Sequence, residues 1–159
     1  MEGYYRYTTG ELTDEVLEAI KGEKQKLGIC SLSSKHDIEL MWSHYCDGHR
    51  GVVIGVEIDS NKYEIEPIKY SGLSNITSSE IKNNNYSDIA KSILTNKHSI
   101  WSYEKEVRVF VKGSNFVNVQ VTELILGEKM DTRTKNFIKK LVEKINPNIE
   151  VKMSNIYNI

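Results

Sequence analysis

A chain of 159 residues is long enough for one domain with a substantial buried core. Its 39% hydrophobic and 27% charged content is that of a globular protein, and a formal net charge of -1 supplies neither a coat for nucleic acid nor a surface for membranes. Cys30 and Cys46 are too few for a disulfide framework, the apolar runs are too short to span a bilayer, and Met1-Glu2-Gly3-Tyr4 has no signal-peptide pattern, so the expected setting is cytoplasmic.

Tyr4–Thr8 reads as a short strand of aromatic and β-branched residues, with Arg6 pointing opposite to Tyr5 and Tyr7. Val16, Leu17 and Ile20 predict a helix over 13–21, capped by Thr13 and ended by Gly22. A polar link leads to a strand over Gly28–Ser33. The spacing of Ile38, Met41, Trp42, Tyr45 and Cys46 predicts a helix over 35–47, with Ser34 as cap and Gly48 at its end. After the turn His49-Arg50-Gly51, the apolar run Val52–Ile58 predicts a strand buried on both faces, with backbone or ligand close to Gly55. Lys62–Tyr70 reads as a strand that Pro67 confines to a sheet edge.

The Ser-, Asn- and Gly-rich stretch 71–86 reads as a loop, and Ile89, Ala90, Ile93 and Leu94 predict a helix over 87–98. The alternation of Val107, Val109 and Val111 marks a strand that extends to Lys112. A turn at Gly113-Ser114-Asn115 leads to β segments at Phe116–Val121 and Glu123–Leu126. Asp131 or Thr132 caps a helix through Ile145 whose stripe is Phe137, Ile138, Leu141, Val142 and Ile145. Pro147 stops it, and Ile149–Met153 is a last strand. Short strands with interspersed helices, and no linker long enough to divide the chain, predict a single α+β domain over 1–159.

The stretch with most chemical content is Trp101-Ser102-Tyr103-Glu104-Lys105-Glu106-Val107-Arg108-Val109. Residues two apart in a strand share a face, so Glu104, Glu106 and Arg108 are expected together, with the valines in the core behind them. Adjacent carboxylates repel unless something uses them. That face is either wet or lines a cleft for a cationic visitor, and Arg108 is a candidate structural partner of Glu106. Arg6 at a strand end suits bidentate contact with phosphate, or is a surface residue. Ser31 and Ser33 share a strand face, where they can bind a ligand or satisfy local backbone. Trp101 and Tyr103 suit either core or cleft, and His44 lies off the apolar stripe as a surface or cleft group. His36, His44 and His49 lack the spacing of a helical metal pair, so no metal is expected. The basic residues Arg133, Lys135, Lys139, Lys140 and Lys144 form a solvated helix face.

The segments Tyr5-Arg6-Tyr7-Thr8, Cys30-Ser31-Leu32-Ser33 and Glu104-Lys105-Glu106-Val107, in this order, resemble the motifs of the ADP-ribosyltransferase superfamily. The wording Ser-Leu-Ser, Met41-Trp42-Ser43-His44-Tyr45 and Trp101-x-Tyr103-Glu104-Lys105-Glu106-x-Arg108 resembles a prokaryotic family, DUF2971, over most of residues 4–126. The first resemblance implies a split antiparallel or mixed sheet with flanking helices, and a mono-ADP-ribosyltransferase consuming NAD. It implies that Arg6 holds the pyrophosphate, that Ser31 or Ser33 supports the nicotinamide ribose and orients the glutamate, and that Glu106 is catalytic. Glu104 helps select the acceptor, Tyr45 flanks the nicotinamide, and His44 joins them as a cofactor-site group. The acceptor is a protein, a nucleic acid or a small molecule. A bacterial or phage toxin or antiviral defence effector is the expected role, with a neutralising partner protein. The alternatives are a non-catalytic nucleotide- or protein-binding module of the same fold, and a small hydrolase or nuclease using Glu104, Glu106 and His44.

Overall fold

The computed structural model describes residues 5–7, 13–72 and 74–155, with the backbone alone at 5–7 and 75. In chain order the elements are β1 Tyr5–Tyr7, α1 Asp14–Gln25, β2 Leu27–Ser33, α2 Glu39–Tyr45 and β3 Val52–Glu57. There follow β4 Glu64–Pro67, β5 Ser74–Ile76, α3 Ser78–Asn83, α4 Tyr86–Leu94 and a 3-10 helix, Ser99–Glu104. The last are β6 Glu106–Lys112, β7 Gln120–Leu126, α5 Thr132–Ile145 and β8 Glu150–Met153. The class is α+β, with two three-stranded sheets and flanking helices. Two compact units account for the elements, Met1–Ser34 with Ser60–Val117 and Lys35–Asp59 with Asn118–Ile159.

In the first unit, β6 is the centre of the antiparallel sheet β2-β6-β4, and β1 pairs in parallel with β5. Pro67 sits on edge strand β4, where a missing N–H costs no ladder bond. The Thr13 hydroxyl accepts from Val16 N at 3.4 Å and starts α1, but the helix runs through Gly22 to Gln25. Glu23, Lys24 and Gln25 are strong helix formers, and their propensity outweighs one glycine. Ile20 of α1, Ile76 of β5 and Ile89, Ala90 and Ile93 of α4 form one apolar cluster. The stretch 71–86 is not a loop: it contains β5 and α3. Thr77-x-x-Glu80 is a capping box, with the Thr77 hydroxyl accepting from Glu80 N at 3.2 Å and the Glu80 carboxylate accepting from Thr77 N at 2.7 Å. Helix α4 stops at Leu94, short of the expected residue 98, and its apolar stripe is buried as the periodicity requires.

The second unit holds the mixed sheet β3-β7-β8, antiparallel between β3 and β7 and parallel between β7 and β8. The run Val52–Ile58 does not make a strand buried on both faces. It forms the edge strand β3, and Ile54 is 55% exposed. What approaches Gly55 is the Glu123 side chain, whose Cγ lies 2.2 Å from where a Cβ would stand. Helix α2 is shorter than the 35–47 its stripe predicts, and Ser34 does not cap it. The Ser34 hydroxyl instead donates to the Lys105 carbonyl at 3.1 Å, within the first unit. Past α2 the chain turns through Asp47, Gly48 and His49, all at positive φ (47°, 55° and 71°). Trp42, with its indole N–H on the His36 carbonyl at 2.6 Å, stacks on His49. Asp131 caps α5, accepting from Thr134 N at 2.9 Å. Ile138 and Val142 pack against Leu124, Leu126 and Met130, but Phe137 and Ile145 of the same stripe are 65% and 71% exposed.

Candidate functional site

The stretch Trp101–Val109 lies in the first unit, and its strand does not reach back to Glu104. Glu104 is the last residue of the 3-10 helix, Lys105 adopts the left-handed conformation at φ 48°, and β6 starts at Glu106. Glu104 and Glu106 are therefore not neighbours on one strand face. A cation brings them together. Lys97, in the turn after α4, donates from Nζ to Glu104 Oε2 at 2.5 Å and to Glu106 Oε2 at 2.9 Å.

Arg108 does share a strand face with Glu106, and its Nε donates to Glu106 Oε1 at 2.7 Å. Its Nη1 donates to the carbonyl of Leu94, the last residue of α4. A guanidinium at a helix C-terminus meets the negative end of the peptide dipoles. The face is thus neither wet nor bare: Glu104, Glu106 and Arg108 are all buried. Two carboxylates, one ammonium and one guanidinium balance in charge, the condition for burying ions at all. On the other face of β6, Val109 and Val111 are in the core as expected.

The two serines separate. Ser31 stands opposite Arg108 in the register of β2 with β6 and helps to hold the Glu106 carboxyl low. The Ser33 hydroxyl donates to the Glu104 backbone carbonyl at 2.8 Å and so fixes the end of the 3-10 helix. The Tyr70 hydroxyl accepts from Glu106 N at 2.7 Å. Burial pushes the Glu106 carboxyl up, yet hydrogen bonds from Arg108, Lys97 and Ser31 hold it below its ordinary value. Burial acts to lower the Lys97 ammonium, but the two carboxylates raise it above its ordinary value. Tyr70 is raised by burial and by the nearby Glu106 and Glu104 charges.

The structure thus brings Glu104 and Glu106 together through Lys97, and the Ser33 hydroxyl to the Glu104 backbone. Arg6 lies on β1 in the same unit, and its side chain is outside the described residues. His44 and Tyr45 lie on α2 in the second unit, their rings 6.3 Å apart edge to face, with Tyr45 63% exposed. Lys97 and Tyr70 carried no motif that could single them out. Both fall just past the elements the sequence assigns them to, Tyr70 beyond the end of β4 at Pro67 and Lys97 beyond the end of α4 at Leu94, where position follows from tertiary packing. Among the described residues, no helix is long and apolar enough to cross a membrane.

A family model described as Protein of unknown function (DUF2971) matches residues 41–109. That span includes Met41–Tyr45 and Trp101–Arg108, the wording that carries the family resemblance, but not Arg6 or Ser31–Ser33. No curated protein and no solved structure matches the chain.

Proposed function

We propose that the chain is an NAD-consuming transferase of the mono-ADP-ribosyl type, with Glu106 as the carboxylate at the reacting ribose. The observation that carries the reading is the convergence of Glu104 and Glu106 on the Lys97 ammonium, beside the strand that bears Ser31. The motif order relates one of the serines of β2 to these two glutamates, and β2 pairs with β6, which Glu106 opens and Glu104 precedes from the 3-10 helix. In the reaction the bond from ribose C1′ to the nicotinamide nitrogen breaks and its electrons leave with nicotinamide. The ribose becomes oxocarbenium-like, and an ionised, fixed carboxylate stabilises that charge more than the ground state. An acceptor nucleophile then bonds to C1′ and loses its proton, for which Glu104 is the second carboxylate at hand. Depression of the Glu106 carboxyl suits the role, which requires the ionised form.

The test is incubation of the pure chain with NAD labelled in the adenylate, with protein and nucleic-acid acceptors. Nicotinamide release and label transfer are expected, both lost in Glu106→Gln. Absence of release with every acceptor, together with no rise in melting temperature on adding NAD, removes the reading. One observation favours a second reading, a non-catalytic nucleotide-binding module: both Glu106 oxygens already have cationic partners. Binding of NAD without turnover, unchanged in Glu106→Gln, distinguishes it.

A further inference from the structure

The Lys97 ammonium sits in a small cage. Glu104 Oε2 is 2.5 Å away, Glu106 Oε2 is 2.9 Å away, and the Trp101 ring centroid is 5.4 Å from Nζ. Two ionised carboxylates and the face of an indole are the donor set that holds organic cations. Tyr103, tilted 42° to Trp101 with centroids 6.0 Å apart, adds a second ring beside it.

The occupant is built differently from the other cation of the cluster. Arg108 is 1% exposed and is also bonded to the Leu94 carbonyl, so it is fixed by the fold. Lys97 has a side chain 21% exposed on a flexible stem, and its bonds to the carboxylates are made by Nζ alone. Its backbone is anchored separately, with Lys97 N donating to the Lys69 carbonyl at 2.9 Å and the Lys97 carbonyl accepting from Gly72 N at 3.2 Å. The side chain can leave the cage while the main chain stays.

We infer that Lys97 is an internal stand-in for a cationic ligand, and that the cage of Glu104, Glu106 and Trp101 binds a planar organic cation of the pyridinium class when Lys97 swings out. The inference rests on the NAD reading of the same cluster, because the nicotinamide end of NAD carries such a cation and the ribose beside it develops one. It adds an occluding residue. Lys97 stays paired with the two carboxylates until ligand displaces it. A ligand that must first displace an occupant binds more weakly by the fraction of time the site is open.

The probe is 1-methylnicotinamide, a pyridinium cation with no phosphate and no leaving group. Lys97→Met, which keeps the stem and removes the charge, is expected to bind it about tenfold or more tightly than the wild type, read by calorimetry or by melting temperature. Adding Glu106→Gln in that background is expected to abolish the gain. Affinity unchanged in folded Lys97→Met overturns the inference. If Lys97→Met does not fold, Lys97→Gln, which keeps a polar end that can bond the carboxylates and still removes the charge, carries the same comparison. If neither Lys97 variant folds, reductive methylation of the wild type decides it: faster modification of Lys97 with 1-methylnicotinamide present supports displacement, and an unchanged rate overturns it. A tighter pyridinium site with no NAD turnover in any variant sinks the transferase reading and leaves the cation cage standing. NAD turnover that Lys97→Met slows, without a gain in pyridinium affinity, does the reverse.

Discussion

Arg108 ties Glu106 to the C-terminal end of α4, donating from Nε to the carboxylate at 2.7 Å and from Nη1 to the Leu94 carbonyl. The strand and the helix are thereby joined by one buried ion, and the carboxylate proposed for chemistry is also half of a structural pair. The two roles can be separated by variants.

Arg108→Met leaves two buried carboxylates facing one ammonium, and leaves the Leu94 carbonyl without this donor. Breaking a buried pair by removing one partner destabilises by about 3–5 kcal/mol. Glu106→Gln keeps an oxygen that can accept from Arg108, so its expected loss is smaller, about 1–3 kcal/mol. Urea denaturation of both checks the order. Equal losses would show that Arg108 gains nothing structural from its charge.

The same pair predicts an acid limb. The folded Glu106 carboxyl lies below its ordinary value of 4.5, against the push of burial, because Arg108, Lys97 and Ser31 hydrogen-bond its charged form. A carboxyl depressed on folding contributes stability above its unfolded pKa and loses it as pH falls through the folded one. Lys97 is the mirror case: raised above 10.5 by Glu104 and Glu106 in spite of burial, it contributes below that value and loses it as pH rises through its folded pKa. The melting-temperature gap between wild type and Glu106→Gln is therefore expected to be constant near neutrality and to close below pH 4.5. A gap that persists unchanged to pH 2, well below ordinary carboxyl values, would show that this carboxylate's ionisation is not what Arg108 and Lys97 stabilise.

Where sequence reasoning succeeded and failed follows from what each signal measures. Periodicity placed α4, α5 and β6, because an apolar stripe or an alternation is a direct consequence of one face being buried. Composition misled at 71–86: Ser and Asn are frequent in loops because they bond locally to backbone, and Thr77 with Glu80 uses that same property to start a helix. The glutamates were visible as a pair, and Arg108 as a partner of one. Lys97 was not, because it stands seven positions before Glu104, on the far side of a 3-10 helix that Glu104 ends, and only the fold brings them together.

Two glycines in the second unit make a contrast. A Cβ on Gly127 would stand 2.1 Å from the His49 carbonyl oxygen and 2.9 Å from that of Gly51, both backbone atoms of a tight turn. A Cβ on Gly55 would meet the Glu123 side chain, which can swing away at the cost of its ion pair with Lys152. That pair is partly exposed and screened by water, so giving it up costs little. Gly127→Ala is expected to lose about 3 kcal/mol or more, as overpacking against backbone does, and Gly55→Ala much less. Thermal denaturation of the two variants decides it, and the reverse order would mean that the 46–51 turn yields more easily than its backbone contacts imply.

Helix α5 has a five-residue apolar stripe in sequence, but the fold uses the side bearing Ile138 and Val142. Phe137, Leu141 and Ile145, four residues apart in turn, share the exposed side. Removing a methylene from a packed residue costs transfer energy plus a cavity, whereas an exposed residue has little to lose. Ile138→Ala is accordingly expected to destabilise by about 2 kcal/mol, less than a fully buried isoleucine at its upper range because Ile138 is only partly buried. Phe137→Ser is expected to stay within about 0.5 kcal/mol of wild type. Denaturant midpoints of the two measure this, and a Phe137→Ser loss as large as that of Ile138→Ala would mean that the exposed side of α5 is covered when the chain is folded in solution.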